Sequence, residues 1–174
     1  MRSNQYWQDN TVNQKVLSKQ LKRLGCKVFA AGNGVEALDF LKTTKLWHES
    51  AQEESEGTNV ATSAATSSDI YLDVILMDIE MPVMGGLACT RAIRELEGQG
   101  SIRRVPPQPQ HCHKMRQHHR LPIISISANV RVEQGNEQRE AGVDDIVTKP
   151  FRIPQLMDKI WRLVGQESLD DARG

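Results

Sequence analysis

Two short stretches of the chain, LDVILMD (72–78) and LPIISIS (121–127), are apolar almost throughout. Stretches of this length and composition are typical of strands that are buried on both faces of a sheet. A helical pattern follows each of them, at GLACTRAIRELEG (86–98) and at RVEQGNEQREAG (131–142). Because buried strands that alternate with helices form parallel sheets covered on both faces, the sequence predicts an α/β fold.

The rest of the chain continues this alternation of strands and helices. Asn10 is a candidate cap for a first helix that Gly25 ends. The further candidates are the strands KVFAA (27–31) and DDIVTKP (144–150) and the helices VEALDFLKTTKLW (35–47) and IPQLMDKIWRLVG (153–165). Pro154 stands in the first turn of the last helix, where its missing N–H is tolerated.

Two segments interrupt this pattern, at about 46–69 and about 99–120. The first is rich in Ser, Thr, Ala and acidic residues, and the second is basic and rich in proline and histidine. Neither has enough apolar residues to form a core, so both are predicted to be disordered insertions. We therefore expect a single domain over 1–168 with a short tail at 169–174.

The overall composition excludes several classes of function. Because 22 basic residues balance 22 acidic ones, no net field favours nucleic acid or an anionic membrane. No apolar run is long enough for a membrane span. The 3 cysteines are scattered, which argues against a disulfide framework and favours a reducing, cytoplasmic compartment.

The polar residues at the strand ends indicate a chemistry. Ligands of open α/β sheets bind at the carboxyl ends of the strands, where Asp78, Ser127 and Lys149 are expected to meet, with Asp9 before the first helix. An aspartate there can accept a phosphoryl group, with Mg²⁺ bound by Asp9, Asp78 and the backbone carbonyl of Glu80. Lys149 and the Ser127 hydroxyl would stabilise the phosphoryl oxygens.

Five blocks of sequence resemble receiver domains of two-component signalling, specifically the C-terminal receivers of fungal-type hybrid histidine kinases. The blocks are DNTVNQKVL, AAGNGVEAL, ILMDIEMPVMGG, SANVRVEQ and AGVDDIVTKPF. The resemblance implies a flavodoxin-like (βα)5 fold with sheet order 2-1-3-4-5, and Asp78 as phosphoacceptor. It also implies Ser127 as the switch hydroxyl, Lys149 as the phosphate-binding lysine and a cis bond before Pro150. The phosphoryl group would be exchanged with a phosphohistidine of a kinase core or of a phosphotransfer protein.

The chain departs from the family pattern at two places. The first strand, SNQYWQ, is polar, so we expect it to be truncated or degenerate. Gln8 occupies the position of the first of two adjacent acids in the family, so we expect a weaker metal site. Ile146 occupies the position of an aromatic switch residue, which excludes a switch based on a tyrosine rotamer.

Other interpretations remain open at this point. The altered first strand favours a degenerate receiver that binds a partner without being phosphorylated. If the chain is instead a phosphoacceptor, it is an enzyme only in that it transfers a phosphoryl group to its own aspartate. An aspartate-dependent phosphatase would need a second catalytic acid, which Glu80 only imitates, and a flavodoxin would need a phosphate loop that DNTVNQ does not provide. The cluster HCHKMRQHH (111–119) has no regular metal-ligand spacing and is more typical of a solvated basic loop.

Overall fold

The computed structural model describes residues 6–48, 70–103, 120–128 and 132–164. Its helices and strands are α1 (Tyr6–Arg23), α2 (Gly34–Lys42), β1 (Ile75–Asp78), α3 (Gly86–Gly98), β2 (Ile123–Ser127), α4 (Val132–Glu140), β3 (Asp145–Thr148) and α5 (Ile153–Val164). The predicted α/β class is confirmed. In the described ranges no helix is both long and apolar enough to cross a membrane.

The three strands form one parallel sheet in the order β1-β2-β3. β2 is the central strand, and all five of its residues are buried. It pairs Ile126 with Asp78 of β1 and Ser127 with Thr148 of β3. The carboxyl ends of the three strands therefore lie at the same edge of the sheet. These strands correspond to the third, fourth and fifth of the predicted order.

Two apolar clusters pack against the sheet. Neighbouring residues of β2 contribute to different clusters, Ile123 to the first and Ile124 to the second, as expected for side chains that alternate across a strand. The first cluster also contains Cys89 and Ile93 of α3. The second includes four residues of α5 at helical spacing, Leu156, Met157, Ile160 and Val164, together with Leu21 of α1. The core is therefore divided between the two faces of the sheet.

The amino-terminal prediction was wrong in two respects. Gln8, Asp9 and Asn10 lie inside α1, which begins at Tyr6, so Asn10 does not cap the helix and Asp9 does not precede it. The polar stretch before Asn10 offers no apolar face to bury at the centre of a sheet, so the helical conformation extends through it. Residues 1–5 lie outside the described residues.

The predicted strand at 27–31 also does not form. A strand needs a hydrogen-bonded neighbour, and the predicted neighbour, the first strand, is not formed in the described part of that stretch. Side-chain contacts hold the segment instead: the Phe29 and Phe40 rings lie 5.1 Å apart, and Gln14 Nε2 donates to the Ala31 carbonyl at 2.7 Å. Only the third to fifth of the predicted strands are therefore present in the described chain.

The first residues of both predicted insertions, 46–48 and 99–103, are ordered. Leu46 and Ile102 are buried in the first apolar cluster, and Trp47 and Ile102 form an isolated antiparallel bridge. The Arg103 N–H donates to the Leu46 carbonyl at 2.8 Å. Because aliphatic side chains at these positions can join the core, the chain stays ordered there. Segments 49–69 and 104–119, the tail at 169–174 and the histidine-rich cluster lie outside the described residues.

Arg94 of α3 connects several elements at the amino-terminal edge of the sheet. Its guanidinium donates to Asp144 Oδ2 and Glu97 Oε2, each at 2.7 Å, and to the Leu121 and Gly142 carbonyls, each at 2.9 Å. The side chains of the three charged residues are only 12–14% exposed. Glu97 accepts the Leu121 N–H, and Asp144 accepts the Ile123 N–H at the start of β2. Arg94 and its two acids therefore hold α3, β2 and the turn before β3 together.

We expect Arg94→Ala to lower the free energy of unfolding by about 3 kcal/mol, because it leaves the nearly buried Glu97 without its cation and leaves Asp144 with only the half-exposed Arg120. Arg91→Ala is the matched control on the same helix. Arg91 is 55% exposed and lies 3.7 Å from Glu137, so its loss should change stability by less than about 0.5 kcal/mol. Urea unfolding of both variants measures the difference, and equal midpoints would contradict the role of Arg94.

Cys89 of α3 is a chemically protected thiol. It is fully buried, and its Sγ lies 3.5 Å from the Gly34 carbonyl. Burial raises the pKa of the Cys89 thiol from 9.0 to about 11 because the thiolate would lose its hydration. The neutral thiol therefore stabilises the fold fully below about pH 9, and this contribution is lost as the pH rises through about 11.

Iodoacetamide should accordingly label Cys26 in the folded chain at about pH 8 and leave Cys89 unmodified, since Cys26 is partly exposed and only the thiolate reacts. Peptide mass spectrometry at increasing reaction times resolves the two sites. Denaturant should abolish the difference. Labelling of Cys89 as fast as Cys26 without denaturant would show that this part of the core is open.

Candidate functional site

Three polar residues meet at the carboxyl edge of the sheet. Asp78 is the last residue of β1, Ser127 is the last residue of β2, and Lys149 directly follows β3. The parallel register places these strand ends side by side. The Lys149 N–H donates to the Ser127 carbonyl at 2.7 Å, which continues the pairing one residue beyond β3. The sequence prediction that these three residues converge therefore agrees with the geometry.

The Asp78 carboxylate is held by two donors. Lys149 Nζ lies 2.8 Å from Oδ2, and the Glu80 N–H donates to Oδ1 at 3.1 Å. The carboxylate is 22% exposed and the lysine 30%, so both are reachable from solvent. A charge-assisted bond of this kind offsets part of the cost of placing a carboxylate beside an apolar core. The Lys149–Pro150 peptide bond is cis, the form that the resemblance implies.

The loop after β1 is shaped by close backbone contacts. At Gly86, the first residue of α3, a Cβ would lie 2.1 Å from the Asp78 carbonyl oxygen. Its N–H donates to the Ile79 carbonyl at 3.0 Å. Only glycine allows the start of α3 to approach the end of β1 this closely. The helix therefore packs directly behind the candidate phosphoacceptor, a contact that the sequence pattern did not reveal beyond the presence of two adjacent glycines.

The tip of the same loop is exposed and conformationally unusual. Val83 is 89% exposed with a φ of 63°, and the Met84 N–H donates to the Pro82 carbonyl at 2.6 Å across it. Met84 folds back onto the start of α2, where its carbonyl accepts the Gly34 N–H at 3.1 Å. The Met84 side chain also packs against the first apolar cluster.

The predicted metal ligands are only partly brought together. Asp78 and the backbone of Glu80 are adjacent, whereas Asp9 lies in the first turn of α1 and its side chain is not among the described groups. Among the described residues no cluster of three or more histidine, cysteine, aspartate or glutamate side chains is arranged to hold a metal. Mg²⁺ needs only one or two carboxylates, with water and carbonyl oxygens completing its shell. Of the predicted ligands, the described geometry places the Asp78 carboxylate and the Glu80 backbone next to each other, with the Glu80 N–H directed at Asp78.

Ile146 lies away from Asp78, on β3. It borders two surface grooves of about 350 and 340 Å³, which also share Thr148 of that strand. Lys159 of α5 also lines both grooves and pairs with Asp145 at 2.5 Å. The aliphatic side chain of Ile146 has no polar group that could form a hydrogen bond at the carboxyl edge of the sheet.

Gly86→Ala should lower the free energy of unfolding by about 3 kcal/mol and displace Asp78, because the added methyl group meets a backbone oxygen that cannot move alone. Gly85→Ala is the matched control, since its Cβ would lie 3.4 Å from the nearest atom, the Ile79 carbonyl oxygen. Thermal unfolding and the amide NMR shifts of residues 78–80 report the two effects. Similar behaviour of the two variants would contradict the proposed contact.

Sequence comparison finds relatives among hybrid and other histidine kinases. Hybrid signal transduction histidine kinase I of Dictyostelium discoideum is 33% identical over 153 residues, which is 88% of this chain and 7% of that protein. Histidine kinase 5 of Arabidopsis thaliana is 31% identical over 160 residues, which is 87% of this chain and 14% of that protein. The chain thus spans only a small part of these relatives. No protein-family model matches it.

Structure comparison finds receiver domains. The receiver domain of a sensor histidine kinase from Pseudomonas aeruginosa, with a magnesium ion in its active site cleft, is 24% identical with a TM-score of 0.56, covering 88% of this chain and 89% of that one. A chemotaxis protein of Vibrio cholerae is 20% identical with a TM-score of 0.56, covering 87% and 89%. The chain therefore has the fold of a response regulator receiver domain and a sequence that resembles hybrid histidine kinases.

Proposed function

We propose that the chain is a phosphoacceptor receiver of a cytoplasmic histidine-to-aspartate phosphorelay, and that Asp78 accepts the phosphoryl group. The proposal is carried by the contact between Asp78 Oδ2 and Lys149 Nζ, which lie 2.8 Å apart. This contact lies at the edge of the sheet where β2 ends at Ser127. The relatives among histidine kinases and the receiver-domain fold support it. Two-component signalling through a receiver is the function class to which both comparisons point.

The proposed reaction is a nucleophilic substitution at phosphorus. An Asp78 carboxylate oxygen forms a bond to phosphorus while the P–N bond of a phosphohistidine breaks, and the imidazole leaves with its electron pair. The donor is a histidine of a kinase core or of a phosphotransfer protein. Lys149 would move from its carboxylate partner to a phosphoryl oxygen, and the Ser127 hydroxyl would donate to another. Both residues already lie at the edge where the new charges would appear.

A divalent cation reduces the repulsion between an anionic nucleophile and an anionic phosphoryl donor. Asp78 and the Glu80 carbonyl would hold Mg²⁺, with Asp9 as a further carboxylate and with the uncharged Gln8 beside it. A site with two carboxylates binds Mg²⁺ more weakly than the same site with a third acid at position 8, because each negative charge adds to the attraction for the cation. We therefore expect a Mg²⁺ affinity lower than that of a site with an acidic residue at position 8.

A second candidate function is a phosphorylation-independent interaction module. The observation that favours it is the position of Asp9 within α1, in place of the end of a strand beside Asp78. In that case the described sheet and helices would present a fixed docking surface, and Asp78 and Lys149 would form only a structural ion pair. The two functions differ in whether a phosphoryl analogue binds at Asp78.

We expect Mg²⁺ with beryllofluoride, which mimics an aspartyl phosphate, to raise the melting temperature of the chain. A ligand that binds only the folded state stabilises it by mass action, and a chain of this size gains about 2–4 °C for each kcal/mol. Asp78→Asn is the control, since its amide cannot coordinate beryllium in the same way. Differential scanning fluorimetry with Mg²⁺ alone, with beryllofluoride and Mg²⁺, and with neither separates the contributions.

The outcomes distinguish the two functions. A rise in the wild type that is absent in Asp78→Asn supports the phosphoacceptor. A cooperative melt that no ligand shifts contradicts it and favours the interaction module. If only Gln8→Glu shows the rise, the missing acid at position 8 is the cause of the weak response, and the proposed pocket is otherwise competent.

A further inference from the structure

The described side chains of α4, from Glu133 to Glu140, give the helix little apolar attachment to the sheet. Its buried positions among Glu133–Glu140 are Gly135 and Gln138, neither of which is a large apolar residue, and Ala141 follows it. α5, by contrast, buries Leu156, Met157, Ile160 and Val164. α4 is also only 9 residues long and contains a glycine, so it would be marginal in isolation. The described residues of α4 therefore offer the sheet little apolar surface, apart from the buried Ala141 and Val143 that follow the helix.

A buried hydrogen bond attaches α4 to the sheet. The Ser125 hydroxyl of β2 donates to Gln138 Oε1 of α4 at 2.6 Å. Ser125 is 0% exposed and Gln138 is 2% exposed. Leaving either group unpaired at such a site costs about 1–3 kcal/mol, whereas the paired groups stabilise the contact. The ion pair between Arg91 of α3 and Glu137 of α4 is exposed and 3.7 Å long, so it contributes little to holding α4.

We infer that Ser125 and Gln138 are positioning residues that anchor α4 to the sheet and couple it to the phosphorylation site. Ser125 lies two residues before Ser127 on the same strand, and only residues 128–131 separate Ser127 from α4. α4 is thus tied to β2 at two places, by the chain itself and by the buried bond. The coupling, though not the anchoring, rests on the proposed function of Asp78.

Together, the chain connection and the buried hydrogen bond would transmit movement from the phosphorylation site to α4. When the Ser127 hydroxyl moves toward a phosphoryl group on Asp78, the end of β2 and the start of the following segment move with it. A helix tied to β2 only through the chain could take up this movement by pivoting freely. Because the Ser125–Gln138 bond fixes the last turn of α4 to the middle of β2, movement at the site instead changes how firmly the helix is held on the sheet.

The first experiment tests the anchoring without any ligand. Amide hydrogen exchange of α4 is measured by NMR in the wild type, in Ser125→Ala and in Gln138→Leu, with the amides of α3 as an internal reference. Each variant leaves one buried polar group unpaired, so α4 should exchange about tenfold faster while α3 is unchanged. Arg91→Ala should leave α4 exchange as in the wild type. Unchanged α4 exchange in both single variants would overturn the anchoring.

The second experiment tests the coupling with Mg²⁺ and beryllofluoride as the probe. The double variant Ser125→Ala with Gln138→Leu removes both polar groups, so its melting temperature should recover toward the wild-type value. In the wild type the probe should slow α4 exchange severalfold. In the double variant the probe should still raise the melting temperature but should no longer change the exchange rates of α4. If the Ser125–Gln138 bond were purely structural, the probe would slow α4 exchange in both proteins.

The results separate the two claims. A wild-type response of α4 in the double variant would overturn the coupling. If the probe fails to raise the melting temperature of the wild type, the proposed function of Asp78 fails and the coupling fails with it. The ligand-free exchange still decides in that case whether Ser125 and Gln138 anchor α4.

Discussion

The parallel pairing of β2 with both of its neighbours is the constraint on which the rest of the molecule depends. β2 is buried along its whole length, and its register with β1 and β3 decides which residues share an edge. A shift of either neighbour by one residue would exchange its faces and would separate Asp78 from Lys149. The geometry of the site is therefore a property of the sheet register, and the loops only complete it.

The two edges of the sheet carry charges with different roles. At the amino-terminal edge Arg94 and its two acids are nearly buried, and each has several partners. At the carboxyl edge Asp78 and Lys149 are more exposed and share a single contact. Breaking the first set leaves buried charges unpaired, whereas the second pair can exchange its partners in water at smaller cost. One edge is thus suited to stability and the other to exchange of a ligand.

The sequence allowed most of the carboxyl half to be predicted, because strong local signals there agree with the tertiary fold. α3 begins and ends where its pattern indicated, and the amphipathic pattern of α5 matches its buried residues. The errors lie at 27–31 and before Asn10, where the local sequence is polar or lacks a partner and strand formation depends on distant residues. The buried Ser125–Gln138 bond was also missed, since a serine in an apolar strand gives no sign of its partner.

The helical conformation of the amino-terminal stretch affects the proposed metal site, and the sheet register does not determine it. The register places Asp78, Ser127 and Lys149 at one edge, but Asp9, the proposed second carboxylate, lies in the first turn of α1. A helix advances about 1.5 Å per residue where a strand advances about 3.3 Å, so the same sequence reaches less than half as far in helical form. Whether Asp9 reaches Asp78 therefore depends on the conformation of this short stretch, and Mg²⁺ binding is the property most sensitive to it. A cation that binds both carboxylates would favour the extended conformation in proportion to its affinity, so metal binding and the formation of the first strand would be linked.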